Sequence, residues 1–180
     1  MRLISFLLSS IMPLGVCFTA SPLISNGKRS IRSSFNTARP STDSSPVLTE
    51  SEQKVYGLLE DIHQSKLMFR IVVIGNGAIL ESTNELGPVM KLSQSPKSGA
   101  NLVTFASEDQ SFEFHLMTAQ ISKVGMVEKE NPVSGRTMRI MRFLDDTGKP
   151  ICSLILSDDS TEAKEWYQST IEKHGSEIEI

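Results

Sequence analysis

Cysteine, histidine and tryptophan are scarce in this chain, which has two, three and one of them among its 180 residues. Cys17 lies in an apolar N-terminal stretch and Cys152 lies inside an apolar run, so no structural disulfide is expected.

The spacings typical of zinc sites, redox dithiols, serine hydrolases and nucleotide-binding loops are absent from the sequence. A histidine-based triad has only His63, His115 and His174 to draw on, and no obvious nucleophile accompanies them. We therefore lean against an enzyme.

Charge is unevenly spread along the chain. The first 48 residues hold five of the 18 Lys and Arg and one of the 21 Asp and Glu, which leaves 13 basic and 20 acidic side chains for the remainder. The remainder thus has a net charge of −7. Because nucleic acids and anionic membranes attract basic surfaces, no nucleic-acid partner is expected.

The first 17 residues are typical of a signal peptide, because a short charged start precedes an apolar stretch. The stretch is interrupted by Pro13 and Gly15, and it is shorter than the roughly 20 residues that span a bilayer. Cleavage after Cys17 would expose Phe18. We expect no stable membrane insertion after processing.

Residues 18–47 have the composition of a transit peptide, since they are rich in Ser, Thr and Arg and contain no acid before Asp43. The two segments together resemble the bipartite plastid presequences of algae with secondary plastids, in which an aromatic residue follows the signal peptide. Phe18 occupies that position. The resemblance implies a plastid location, and a secreted or endomembrane protein is the alternative.

Residues 48–180 predict one domain of α+β class. Thr49 and Glu52 form a capping box that starts a helix, and Ser160 or its two preceding acids can cap a second helix near the C-terminus. Between the helices, short apolar or alternating runs separated by turn residues predict about eight antiparallel strands. We therefore expect an antiparallel, split-barrel-like sheet flanked by an N-terminal and a C-terminal helix.

The stretch from Ser111 to Met117 alternates strictly between apolar and less apolar residues. Phe112, Phe114 and Leu116 share one side, which is the pattern of a half-buried strand. His115 then lies on the less apolar side together with Met117.

The order of segments around this strand resembles a known family, the bacterial haem-utilisation carriers of the HutX, ChuX and HemS type. The resemblance spans about residues 86–172 and includes a "His-Leu" step followed by a short turn and a strand, and then an Asp-Gly hairpin. The segments that carry it are Asn101-Leu102-Val103, Phe112-Glu113-Phe114-His115-Leu116, Ala119-Gln120-Ile121-Ser122-Lys123-Val124, Val127-Glu128-Lys129-Glu130-Asn131-Pro132 and Phe143-Leu144-Asp145-Asp146-Thr147-Gly148.

The resemblance implies that a sheet face holds haem, with His115 as the axial iron ligand. Neutral imidazole is a standard iron ligand, and Met117 with other apolar neighbours would line the porphyrin. Arginines on a following strand, Arg136, Arg139 and Arg142, are candidates to pair with the haem propionates. The family often has a second histidine where this chain has Val103 or Thr104, so a two-histidine clamp is in doubt.

Three functions remain open from the sequence. The first is a plastid protein that carries, buffers or senses haem without turnover; because single copies of this domain often pair, a homodimer is expected. The second is a haem-free interaction module that serves as an assembly or regulatory factor for an organellar complex. The third is a haem-degrading enzyme, which would need an open side on the iron and an electron donor.

Overall fold

The computed structural model describes residues 46–180, so the predicted signal peptide and nearly all of the transit-like segment lie outside the described residues. The described part has two helices, α1 (Glu50–Ser65) and α2 (Thr161–His174), and a 3₁₀ turn at Thr118–Gln120. Its strands are β1 (Phe69–Ile74), β2 (Ile79–Asn84), β3 (Val89–Gln94), β4 (Asn101–Ala106), β5 (Glu113–Met117), β6 (Lys123–Glu130), β7 (Thr137–Leu144), β8 (Pro150–Leu156) and β9 (Glu177–Glu179).

The strands form two antiparallel sheets. The larger sheet has the order β2-β1-β8-β7-β6-β9, and the smaller one has the order β3-β4-β5. This arrangement confirms the predicted α+β class with its two flanking helices. Strand β9 was not expected, because a three-residue strand is too short to show an alternating pattern.

One hydrophobic core contains side chains from both helices and both sheets. Helix α1 contributes a fully buried stripe at Val55, Leu58, Leu59 and Ile62, spaced as one face of an amphipathic helix requires. Strand β4 alternates strictly, so that its odd-numbered residues, such as Phe105, are buried in this core and its even-numbered residues are only half buried. The small sheet therefore has one side on the core and one outward side.

A buried carboxylate holds helix α1 against the small sheet. Glu52 is 6% exposed, and its oxygens accept hydrogen bonds from the backbone N–H of Thr49, from Asn101 Nδ2 on β4 and from Thr118 Oγ1 in the 3₁₀ turn. Burial by itself raises the pKa of Glu52, but these hydrogen bonds outweigh it and hold the pKa below its ordinary value. Glu52 of the predicted capping box therefore also attaches helix α1 to strand β4 and to the 3₁₀ turn.

A buried tyrosine attaches helix α2 to the large sheet. Tyr167 is fully buried, and its hydroxyl lies 3.1 Å from the Val127 carbonyl on β6 and 3.0 Å from the Ile140 carbonyl on β7. Burial raises the pKa of Tyr167 to about 12, so the hydroxyl stays protonated and can donate. Among residues 46–180, neither helix is long and apolar enough to cross a bilayer.

Replacing Glu52 by Gln should lower the free energy of unfolding by about 2 kcal/mol at pH 7, because charge-assisted hydrogen bonds to Asn101 and Thr118 are lost. The matched control is Glu50→Gln, in the same helical turn with a side chain 89% exposed, which should change stability little. Urea unfolding measures both.

The difference in the free energy of unfolding between wild type and Glu52→Gln should depend on pH in a defined direction. Because folding lowers the pKa of Glu52, its ionised form stabilises the native state above the ordinary value of 4.5. That contribution is lost as the pH falls through the lowered pKa. The difference between wild type and Glu52→Gln should therefore shrink below pH 4.5. A difference that grows on acidification would contradict this account.

Candidate functional site

The outward side of the small sheet, called here the outer face, brings His115 together with eight other side chains in three cross-strand rows. The rows follow from the pairing register of β3, β4 and β5. They are Val89-Ala106-Glu113, Lys91-Thr104-His115 and Ser93-Leu102-Met117.

The core side of the same sheet explains why these residues point outward. Phe105 and Phe114 are opposite each other in the register, and their rings stack with centroids 6.2 Å apart. Neighbouring residues of a strand point to opposite sides, so anchoring these two rings in the core directs Thr104 and His115 outward. The predicted position of His115 on the less apolar side is therefore what the strand register produces.

Both ring nitrogens of His115 have polar neighbours. Nδ1 lies 2.8 Å from Thr104 Oγ1, and Nε2 lies 3.4 Å from Glu113 Oε2. The side chains of His115 and Glu113 are 48% and 49% exposed, so solvent reaches both of them. A ligand can approach Nε2 once the flexible Glu113 side chain moves aside.

The rest of the outer face combines apolar side chains with a cation. Leu102 and Met117 form a half-buried apolar pair in the row next to His115. Lys91 is exposed in the same row as His115, two strands away, and can reach an anionic group. Three strands spaced about 5 Å apart, with four residue steps each, give a surface of roughly 10 by 14 Å. His115, an apolar wall and a cation therefore share one surface of suitable size.

The three predicted propionate partners lie elsewhere in the fold. Arg142 is exposed on β7 of the large sheet, opposite Gly125 and Ser153, and Arg136 is exposed in the loop before β7. The structure brings His115 and Met117 together on the outer face, but it places neither of these arginines there.

Arg139 is engaged in ion pairs. Its Nε lies 2.9 Å from Glu128 Oε1 without the alignment of a hydrogen bond, and its Nη1 lies 3.2 Å from Asp159 Oδ1. Its side chain is 11% exposed, so its charge is already neutralised within the protein. Its part in binding propionates stays a prediction.

The two other histidines have structural partners. His63 on α1 lies 3.1 Å from the Gly87 carbonyl, and its ring packs against Phe105. His174, at the end of α2, lies 2.6 Å from Asp61 on α1. Burial alone raises the pKa of Asp61, but the hydrogen bonds of Lys173 and His174 outweigh it and lower the pKa.

A cavity of about 710 Å³ lies between the start of helix α1, the 3₁₀ turn and the β7–β8 turn. Its wall includes the carboxyl-bearing residues Glu52, Asp145 and Asp146, and none of the nine outer-face residues. Because a haem carries two propionates, an acidic wall would repel it. The open outer face therefore suits the predicted chemistry better than the cavity does.

Sequence reasoning missed Lys91, Thr104 and Leu102 as members of the candidate site. Thr104 and Leu102 lie on β4, which pairs with β5, and Lys91 lies on β3, which pairs with β4. Their proximity to His115 therefore depends on the register between these strands. A strand pairing proposed for residues 89–93, 101–106 and 113–117 would have placed them there.

No protein-family model matches this sequence, and the comparison with curated proteins finds no match. Solved structures do match. A protein from Erwinia carotovora aligns with a TM-score of 0.54 and 11% identity, over 68% of this chain and 73% of that one. A protein from Agrobacterium tumefaciens gives 0.55 and 9%, over 69% of each chain. The haem-binding protein ChuX gives 0.53 and 12%, over 68% of this chain and 74% of its own. At these identities the likeness concerns the fold, and it confirms the fold that the resemblance implied.

Proposed function

We propose that residues 48–180, which share the fold of the haem-binding protein ChuX, bind haem on the outer face, with His115 as the residue that would ligate the iron. The observation that carries the proposal is the half-exposed imidazole in one row with Lys91 and beside the Leu102–Met117 pair. When bound, haem supplies an iron centre. The chain itself supplies a nitrogen ligand, an apolar wall that excludes water and a cation for the propionates.

The proposed role is to carry, buffer or sense haem without turnover. Because the outer face is open rather than enclosed, it leaves one side of a flat ligand accessible, as transfer to an acceptor requires. A homodimer and an organellar protein partner remain part of this proposal.

Hemin added to the full chain should produce a saturable shift of the Soret band at roughly one equivalent. His115→Ala should lose most of that shift and bind at least about tenfold more weakly, which corresponds to about 1.4 kcal/mol. Absorbance titration measures both variants, with circular dichroism to verify that they fold.

The matched control is His63→Gln, which changes a histidine that lies on α1 and contacts Gly87 instead of the outer face. It should titrate as wild type does. A Soret shift that His115→Ala keeps unchanged would remove His115 as the ligand, and the absence of any shift would remove the haem proposal.

Lys91→Gln should weaken hemin binding about two- to fivefold, and the loss should diminish as salt is added, because an exposed ion pair contributes about 1 kcal/mol or less. Arg142→Gln, on the large sheet, serves as the comparison. If Arg142→Gln has the larger effect in the same titration, the propionates lie near the arginines named from the sequence, and Lys91 does not bind them.

A haem-free interaction module is the second candidate. The β1–β2 hairpin favours it, because Ile79 and Leu80 are 67% and 63% exposed there. Strand β2 is an edge of the large sheet, and exposed apolar side chains on an edge strand often mark sites of interaction. A chain that binds no hemin but loses a protein partner on Ile79→Ser would support this alternative.

The location is proposed to be a plastid, reached through the signal peptide and the transit-like segment. The support is the acid-poor stretch that begins at Phe18, the aromatic residue at the expected junction.

Residues 1–47 fused to a fluorescent protein should deliver it to the plastid of an alga with a secondary plastid. Phe18→Ala should leave the reporter in the endomembrane system, whereas Phe35→Ala, in the same segment, should not. Fluorescence microscopy reports the location. Secretion of the unmodified fusion would favour the alternative instead.

A further inference from the structure

We infer that Thr104 is a positioning residue for His115: its hydroxyl holds the ring through Nδ1 and would accept the hydrogen bond of Nδ1–H when Nε2 binds the iron. The inference rests on the proposed function, since it concerns how the same histidine binds haem.

The strand register places the two side chains together. Thr104 and His115 are directly opposite each other in the β4–β5 ladder, and Oγ1 lies 2.8 Å from Nδ1. The residue has little freedom to move away, because β4 is the central strand of the small sheet and has partners on both sides. A β-branched side chain also has few rotamers. The hydroxyl is thus held beside Nδ1.

A neutral imidazole has one N–H and one lone pair, so the partner of one nitrogen determines what the other can do. When Nδ1 carries the hydrogen and donates it to Thr104 Oγ1, Nε2 has its lone pair free. Nε2 is also the nitrogen that Thr104 does not contact, and it lies 3.4 Å from Glu113 Oε2. The nitrogen that can reach a ligand is therefore the one that this tautomer leaves unprotonated.

Glu113 has the opposite influence. A carboxylate accepts hydrogen bonds and cannot donate, so its position near Nε2 favours the tautomer with hydrogen on Nε2. Thr104 suits either tautomer, because a hydroxyl can donate to a bare Nδ1 as well as accept from Nδ1–H. Ligation of iron by Nε2 would require the hydrogen on Nδ1, where Thr104 Oγ1, 2.8 Å away, is placed to accept it.

The test compares Thr104→Val, which keeps the shape and removes the hydroxyl, with Thr104→Ser, which restores it. Thr104→Val should weaken hemin binding by the full chain about tenfold, within the 10–100-fold range typical of groups that orient a metal-bound histidine. Thr104→Ser should recover most of the affinity. Thr83→Val, the same exchange on strand β2 of the other sheet, should have no effect.

A second readout needs no haem. Nitrogen-15 NMR of the histidine rings, recorded where the imidazole is neutral, reports which nitrogen carries the hydrogen. The same spectra report hydrogen bonding at Nδ1, so the Nδ1 chemical shift of His115 should move in Thr104→Val, which removes its hydrogen-bond partner, and return in Thr104→Ser. An unchanged shift together with unchanged hemin affinity would overturn the inference.

The two proposals fail in different ways. If His115→Ala loses hemin binding while Thr104→Val binds as wild type does, His115 remains the ligand and Thr104 has no positioning role. If neither His115→Ala nor Thr104→Val alters the titration, the proposed function fails, and the NMR result then describes only a structural hydrogen bond.

Discussion

The carboxylate of Glu52 is the contact through which helix α1, strand β4 and the 3₁₀ turn depend on one another. A buried carboxylate is stable only when hydrogen bonds compensate for its lost hydration, and Thr49, Asn101 and Thr118 supply them. These three residues come from segments far apart in the chain. The start of the helix and the start of β4 are therefore held together by one group.

The position of β4 in turn determines what the outer face contains. With Asn101 held by Glu52 and Phe105 packed in the core, strand alternation directs Thr104 outward at the point where β5 brings in His115. Because β3 pairs with the other edge of β4, Lys91 enters the same row. The candidate site is thus a property of three paired strands, and its residues are separated by many positions in sequence.

Much of the fold was predictable because its local signals agree with its tertiary structure. The capping box at Thr49 and the alternation that ends at Met117 both match the structure. The spacing of Arg136, Arg139 and Arg142 predicted less about the surroundings of these side chains. Strand spacing shows which arginines share a side, but it cannot show that Arg139 is paired with Glu128 and Asp159.

By itself, the sequence determined the α+β class, both helices and the outward position of His115, because helical and strand periodicity record which side chains face a core. Only the tertiary structure decided which residues surround His115. Register and strand order bring Thr104, Leu102 and Lys91 beside it and leave Arg139 and Arg142 on the other sheet. The physical reason is that pairing between strands depends on how the whole core packs, and periodicity within one strand carries no information about its neighbours.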